Sequence, residues 1–281
     1  MSAQLTGPDD LSDEERDAVE SLLYRLADDE FVLAERYTEW QVRAPTLESD
    51  LAISNIAQDE LGHARLWYDL LQDFGHTESE LIFEREPSDF RNATLVELPF
   101  ESGDWADAIV RGYFYDVAEQ LSLQALEETS YPRIGNRVAK ILSEEDYHRE
   151  HAQNWLERLA SDDEGRERVQ SAVDKLFPYA LTLFVGGEAD EQIDQLGIRT
   201  QSLEAMREQW LDIVVPFLVS LDIDVPEELQ SGDPDELLPE HVGRDGSHTD
   251  DWFDLHEDMT RSYRELGRSE AHRIMPDPDD E

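Results

Sequence analysis

Glu60-Leu61-Gly62-His63 and Glu145-Asp146-Tyr147-His148 are two copies of one pattern, and they decide how this chain is read. A carboxylate at position i and an imidazole at i+3 lie about one helical turn apart on the same face, so both can point at one ion. Each copy has an acid upstream: Glu30 lies 30 residues before Glu60, and Asp116 lies 29 before Glu145. That interval is the length of one long helix plus its turn to an antiparallel neighbour. Two Glu-x-x-His helices, each joined by a carboxylate from the preceding helix, form the ligand set of a carboxylate-bridged two-metal site in a four-helix bundle. In such a site Glu60 and Glu145 would bridge, Glu30 and His63 would complete one metal, and Asp116 and His148 the other. Glu35 is placed to replace Glu30, and Glu119 to replace Asp116. The matched spacings favour Glu30 and Asp116.

Chance is the competing explanation, because 68 of the 281 residues are acidic. Among the eight histidines, however, only His63 and His148 have glutamate three positions earlier. His76 and His248 have aspartate there, and His151, His241, His256 and His272 have no acid. The duplication inside two segments that both read as long helices carries the argument.

Those segments are bounded by recognisable signals. Ser12-Asp13-Glu14-Glu15 is a capping box opening a first helix along which Val19, Leu22, Leu23, Leu26, Glu30, Leu33 and Ala34 recur at helical spacing. Arg43-Ala44-Pro45-Thr46 turns the chain into a second helix over 47–74, with Leu51, Ile53, Ile56, Ala57, Glu60, His63, Ala64 and Trp67 on its inner face and Gly75 as its stop. A connection over 76–101, containing Pro87 and Pro99, crosses the bundle. The third helix spans 104–130 with Ile109, Tyr113, Asp116, Val117, Leu121 and Leu123 inward. Tyr131-Pro132 starts the fourth, which runs to about 160 through Ile134, Val138, Ile141, Leu142, Glu145, His148 and Trp155. Helix pair, long crossover, helix pair is the ferritin-like order. Further helices are expected over 166–185, kinked near Pro178, over 198–220, and from Trp252 to Leu266. An acidic loop covers 222–248. Residues 1–10 read as a flexible start, 11–270 as one all-α, ferritin-like domain, and 271–281 as an acidic tail.

Composition excludes several functions. No cysteine is present, so disulfides, zinc fingers and thiolate-held iron–sulfur clusters are ruled out on this chain. A redox metal must then rest on oxygen and nitrogen, which suits iron or manganese. Net charge is −45, and Lys140 and Lys175 are the only lysines. Such a surface repels nucleic acid and anionic membranes, excluding both as partners. Its self-repulsion is screened only in concentrated salt, so the composition indicates a salt-loaded, halophilic cytoplasm. No signal peptide opens the sequence and no apolar run reaches spanning length, which gives a cytoplasmic expectation.

Several stretches resemble a known family. Trp40-Gln41-Val42-Arg43-Ala44-Pro45-Thr46-Leu47, Gln58-Asp59-Glu60-Leu61-Gly62-His63 and Glu144-Glu145-Asp146-Tyr147-His148 are similar to the ring-oxygenating phenylacetyl-CoA epoxidase subunits, over roughly residues 20–270. Glu86-Pro87-Ser88-Asp89-Phe90-Arg91-Asn92, Leu95-Val96-Glu97 and Gly243-Arg244-Asp245-Gly246-Ser247-His248-Thr249 resemble the C-type subunit. That resemblance implies a role in phenylacetate catabolism within a monooxygenase complex. It also implies a catalytic epoxidase subunit as partner, other complex subunits, a reductase carrying flavin and an iron–sulfur cluster, and phenylacetyl-CoA as substrate. Arg43, Arg65 and Arg111 are candidates for the coenzyme A phosphates, each more ordinarily a salt-bridged helix arginine.

C-type subunits resemble a bundle whose metal ligands have been substituted. Here Glu30, Glu60, His63, Asp116, Glu145 and His148 are all in place, so two iron ions are expected. Two alternatives stand beside this: a non-catalytic structural partner of the catalytic subunit, and a ferritin-like iron-storage or peroxide-detoxifying protein.

Overall fold

The computed structural model describes residues 7–100, 103–227, 229 and 234–267. The expected tail over 271–281 lies outside them, as does most of the expected flexible start. The described residues form seven long helices: α1 (Asp13–Thr38), α2 (Leu47–Gln72), α3 (Trp105–Leu126), α4 (Pro132–Leu159), α5 (Asp163–Ala180), α6 (Leu203–Ser220) and α7 (Asp250–Leu266). No strand occurs among the described residues, and no helix there is long and apolar enough to cross a membrane.

The starts follow the sequence signals. Ser12 caps α1 in a reciprocal box with Glu15, Thr46 accepts from the Ser49 amide at the head of α2, and Pro132 opens α4. The ends come earlier than expected. α2 stops at Gln72 and reverses at Gly75, whose φ of +99° is in the left-handed region. α3 stops at Leu126 rather than near residue 130.

α1 lies along α2 and α3 along α4, and the two pairs meet across the centre. α3 buries 19 of its 22 residues, which no helix on the rim of a four-helix bundle can do. Its outer side is covered by α5 and α6, where Trp210 donates to the Phe114 carbonyl and packs on Phe114 and Phe177. The added helices are therefore the cover that lets an apolar helix hold charged residues away from water. α5 contains Pro178 and tightens into a 3₁₀ turn over Leu181–Phe184.

Two local expectations need correction. Leu51 is not on the inner face of α2 but 58% exposed, because Ser49, Ala52 and Ile53 form the buried face of these turns and Leu51 points away from it. The crossover is also more than a connection. It contains turns over Glu80–Glu84, Pro87–Asp89 and Thr94–Glu97, and Phe90, Asn92, Thr94, Leu95, Val96 and Glu97 are all 0% exposed.

This buried strap is locked by the segment before α7. His248 Nδ1 is 2.7 Å from Glu97, the Thr249 amide donates to Glu97, and Arg244 donates to the Arg91 carbonyl. Gly243 has a φ of +78°, and a Cβ there would lie 2.0 Å from the Asn92 carbonyl oxygen. A side chain at 243 would push the two segments apart. The three stretches that resemble the C-type subunit thus form one interlocked unit.

Candidate metal centre

Each of the first four helices sends acids into the middle of the bundle. Glu30 comes from α1, Glu60 and His63 from α2, Asp116 and Glu119 from α3, and Glu145 and His148 from α4; all seven are buried. Ligand atoms of Glu30, Glu60, His63 and Glu119 all lie within 4.8 Å of one another, and so do those of Glu60, Asp116 and His148. Glu60 belongs to both groups. Glu145 reaches both histidines, with Oε1 3.5 Å from His63 Nδ1 and 3.1 Å from His148 Nδ1. Glu30 stands 3.5 Å from His63 Nδ1, and Glu60 3.6 Å from His148 Nδ1.

The six residues singled out in the sequence converge, with Glu60 and Glu145 in the middle. Glu119 joins Asp116 instead of replacing it. The signal was present, since Glu119 lies one turn further along the same face of α3. Glu35 is half-buried and belongs to neither group.

The imidazoles are held from outside. His63 Nε2 is 2.8 Å from Glu144 of α4, and His148 Nε2 is 3.3 Å from Asp59 of α2. An ionised carboxylate can only accept, so Nε2 carries the hydrogen in both rings. Each Nδ1 then turns a lone pair inward. Both outer acids directly precede the glutamate of their own motif, so the fuller pattern is acid-Glu-x-x-His, with each outer acid serving the other helix's histidine.

Five carboxylates buried together cannot all ionise unaided. Burial first, and then neighbouring carboxylates, push Glu30, Glu60, Glu119 and Glu145 well above the ordinary range. Burial raises Asp116 to about 7, partly offset by His148 and Arg149. Both oxygens of Glu60, Glu119 and Glu145, one each of Glu30 and Asp116, and Nδ1 of both histidines lack a hydrogen-bond partner. Hard oxygen donors with two imidazole nitrogens suit iron or manganese.

Space around the centre is small. Beside Asp116 and His148 lies a cavity lined by Tyr37, Ile53, Ile56 and Ile109, with about 20 Å³ open to the centre of a water-sized sphere. An open cleft of about 680 Å³ runs outside it between the start of α2 and the outer side of α4, and His151 lies in the walls of both. The three candidate phosphate-binding arginines do not converge here. Arg111 is fully buried, with its guanidinium 3.9 Å from the Phe100 ring centre and bonded to Asp107 and the Leu98 carbonyl. Arg43 and Arg65 are exposed on α2 and its preceding turn.

The fold and this interior define an all-α, ferritin-like bundle with a carboxylate–histidine centre. The chain belongs to the family described as "Phenylacetic acid catabolic protein", whose sequence profile it matches over residues 1–269. It is 34% identical over 224 residues to the C subunit of 1,2-phenylacetyl-CoA epoxidase from Escherichia coli (strain K12), covering 78% of this chain and 89% of that protein. To the A subunit of the same enzyme and organism it is 25% identical over 224 residues, covering 78% of this chain and 70% of that protein.

Proposed function

We propose that this chain is the C-type subunit of a phenylacetyl-CoA epoxidase and that, in addition, it carries a two-iron centre of its own. The higher identity to the Escherichia coli C subunit than to the A subunit, over a larger share of the former, supports the first part. The second rests on the unpartnered atoms of seven buried ligand-type residues, since an unmet buried carboxylate costs roughly 1–3 kcal/mol or more. Two cations would satisfy them together.

Glu30, Glu119 and His63 would hold one iron and Asp116 and His148 the other, with Glu60 and Glu145 between them. Such a pair, when bound and reduced, supplies the activation of dioxygen. The chain's own residues prepare the site for it. Glu144 and Asp59 fix both rings with Nδ1 inward, and the isoleucines of the small cavity keep bulk water from the Asp116 side. The carboxyl groups give up their protons as a cation enters, so loading releases protons. With no cysteine in the chain, electrons come from a separate reductase bearing flavin and an iron–sulfur cluster. The remaining partners are the catalytic subunit and phenylacetyl-CoA, in a cytoplasmic complex.

Iron content of the protein purified in high salt, beside Glu60→Ala and Glu145→Ala, tests this reading. About two irons per chain, lost in both variants, is the expected result. Folded protein that takes up no iron(II) anaerobically would leave this chain as a structural partner of the catalytic subunit.

A second reading is favoured by the cavity. At about 20 Å³ it is far below the ~150 Å³ that holds a benzene ring, so in this conformation it admits only a molecule the size of dioxygen or peroxide. Iron-loaded protein that consumes peroxide without a reductase, and retains no CoA thioester, would make this chain an iron-oxidising bundle.

A further inference from the structure

A second polar chamber lies on the other side of α1, and its chemistry is the reverse of the metal centre's. Arg25 of α1, Arg199 ahead of α6 and Arg244 ahead of α7 line it together, 6%, 4% and 6% exposed. The remaining wall is mostly leucine and methionine, with Leu126, Leu183 and Met206 among them, and its other polar members are Ser122 of α3 and Asp29 of α1. In a chain of net charge −45, three buried guanidiniums around one apolar chamber call for an explanation.

Three aspartates match the three guanidiniums in number, but their placement is uneven. Asp190 is shared, at 2.6 Å from Arg25 and 3.0 Å from Arg199. Asp194, 2.7 Å from Arg199, has a side chain 36% exposed, so water screens much of its charge. Asp29 accepts from Arg244 at 2.6 Å and also from the Ala93 amide. Arg25 and Arg244 each give one donor to a neutral carbonyl, of Val185 and Arg91. Arg244 Nε is buried with no partner at all. Burial, with Arg244 and Arg199 nearby, lowers Arg25 to about 10 despite the attraction of Asp190. The three cations repel one another across the chamber.

About 50 Å³ of it is open to the centre of a water-sized sphere, several times the ~10–15 Å³ that one water needs. That is room for an ion of one to four heavy atoms. Beyond the arginines the wall offers the extra oxygens of phosphate or sulfate only the Ser122 hydroxyl, and the Asp29 carboxylate repels a second negative charge. We propose that this chamber is a binding site for one small monovalent anion, a halide or the carboxylate of a short aliphatic acid, anchored on Arg244 Nε. The bound anion ties α1 to the segments leading into α6 and α7. This inference stands apart from the metal reading, since none of its residues is a candidate ligand.

Two measurements on the full-length protein test it. Thermal unfolding at fixed molar sodium compares bromide and acetate with gluconate, which is too large for the chamber. Crystals grown in bromide are examined by anomalous scattering. We expect Tm higher by roughly 3 °C or more in bromide or acetate than in gluconate, with bromide density beside Arg244 Nε. Ser122 lines the chamber and is in no Arg–Asp pair, so Ser122→Met fills the space and should abolish both signals; Arg244→Met, which also removes the ion pair to Asp29, should abolish the density. Acetate at millimolar levels displacing bromide assigns the site to carboxylates, and failure to displace it assigns the site to halides. No anion dependence in the wild type, no density, or signals that persist in Ser122→Met would overturn the proposal.

Discussion

Asp28, Asp29 and Glu30 are consecutive on α1, all buried, and they end in opposite circumstances. Asp28 accepts from Arg85 at 2.5 Å, from Tyr68 at 2.7 Å and from the Arg91 amide at 2.8 Å. Asp29 is met by Arg244 and the Ala93 amide. Glu30, one residue on, faces Glu60, Glu119 and His63 with no guanidinium or amide. Burial is the same for all three, so burial alone does not mark a functional acid. The supply of donors does. The first two acids hold the strap and the segment before α7 to the bundle, while the third belongs to a group that only a cation or protons can neutralise.

The comparison breaks most visibly at Arg85. Its guanidinium pairs with Asp28 and lies 3.8 Å from the Phe90 ring centre. Arg85→Met leaves Asp28 charged and buried, and should cost about 3–5 kcal/mol in urea unfolding at fixed salt. Glu30→Gln in metal-free protein should cost far less, because an amide there replaces a carboxyl group already holding its proton. Equal losses would mean the two acids do the same work.

The next effect is pH. A carboxyl group whose folded pKa is raised leaves stability intact below its unfolded pKa, and stability falls as pH climbs toward the folded value. For Asp116 that window runs from about 4, its unfolded range, to about 7. Metal-free wild type should therefore lose on the order of 4 kcal/mol across it relative to Asp116→Asn. Iron loading should flatten the difference. A parallel pair of stability–pH curves would show Asp116 to be ionised without a cation.

How much of this was legible beforehand follows the same division. Helix order, the caps at Ser12 and Thr46, and the Glu-x-x-His pairs come from local periodicity and spacing, which a single sequence carries in full. The strap does not. Asn92, Thr94 and Glu97 are polar and aperiodic, and their burial depends on distant partners: His248 and Thr249 reach Glu97, and Thr94 donates to the His241 carbonyl. No window of sequence contains both halves of such a contact. Arg111 differs: its pairing with Asp107 four residues back is the ordinary helix salt bridge, and the Leu98 carbonyl and Phe100 ring complete its burial. Glu119, Asp59 and Glu144 were readable in principle, each at a fixed offset from a residue already singled out.

Asp59 and Glu144 sharpen the comparison on a smaller scale. Both are partly exposed, with side chains 40% and 34% accessible, so removing either should change stability by no more than ~0.5 kcal/mol. If they orient the rings, Glu144→Ala should still weaken iron binding roughly 10–100-fold, and Asp59→Ala similarly. Glu144→Gln keeps an oxygen that accepts from Nε2 and should recover most of the affinity. Iron titration monitored by absorbance would show this. Unchanged affinity in both alanine variants would leave the outer acids as surface charge.

The smallest expected effect is at Glu35, and it is the control for all the others. Glu35 lies on α1 five residues beyond Glu30, half-buried, with its carboxyl raised by burial and no neighbouring carboxylate contributing. It is thus a desolvated acid without a cluster. Replacing it removes a modest desolvation cost and no ligand, so Glu35→Gln should shift stability by less than ~0.5 kcal/mol and leave iron content at the wild-type value. Loss of iron in that variant would mean α1 presents a different acid to the centre from the one its packing indicates. The contrast between Glu30 and its two neighbours would then need to be redrawn around Glu35.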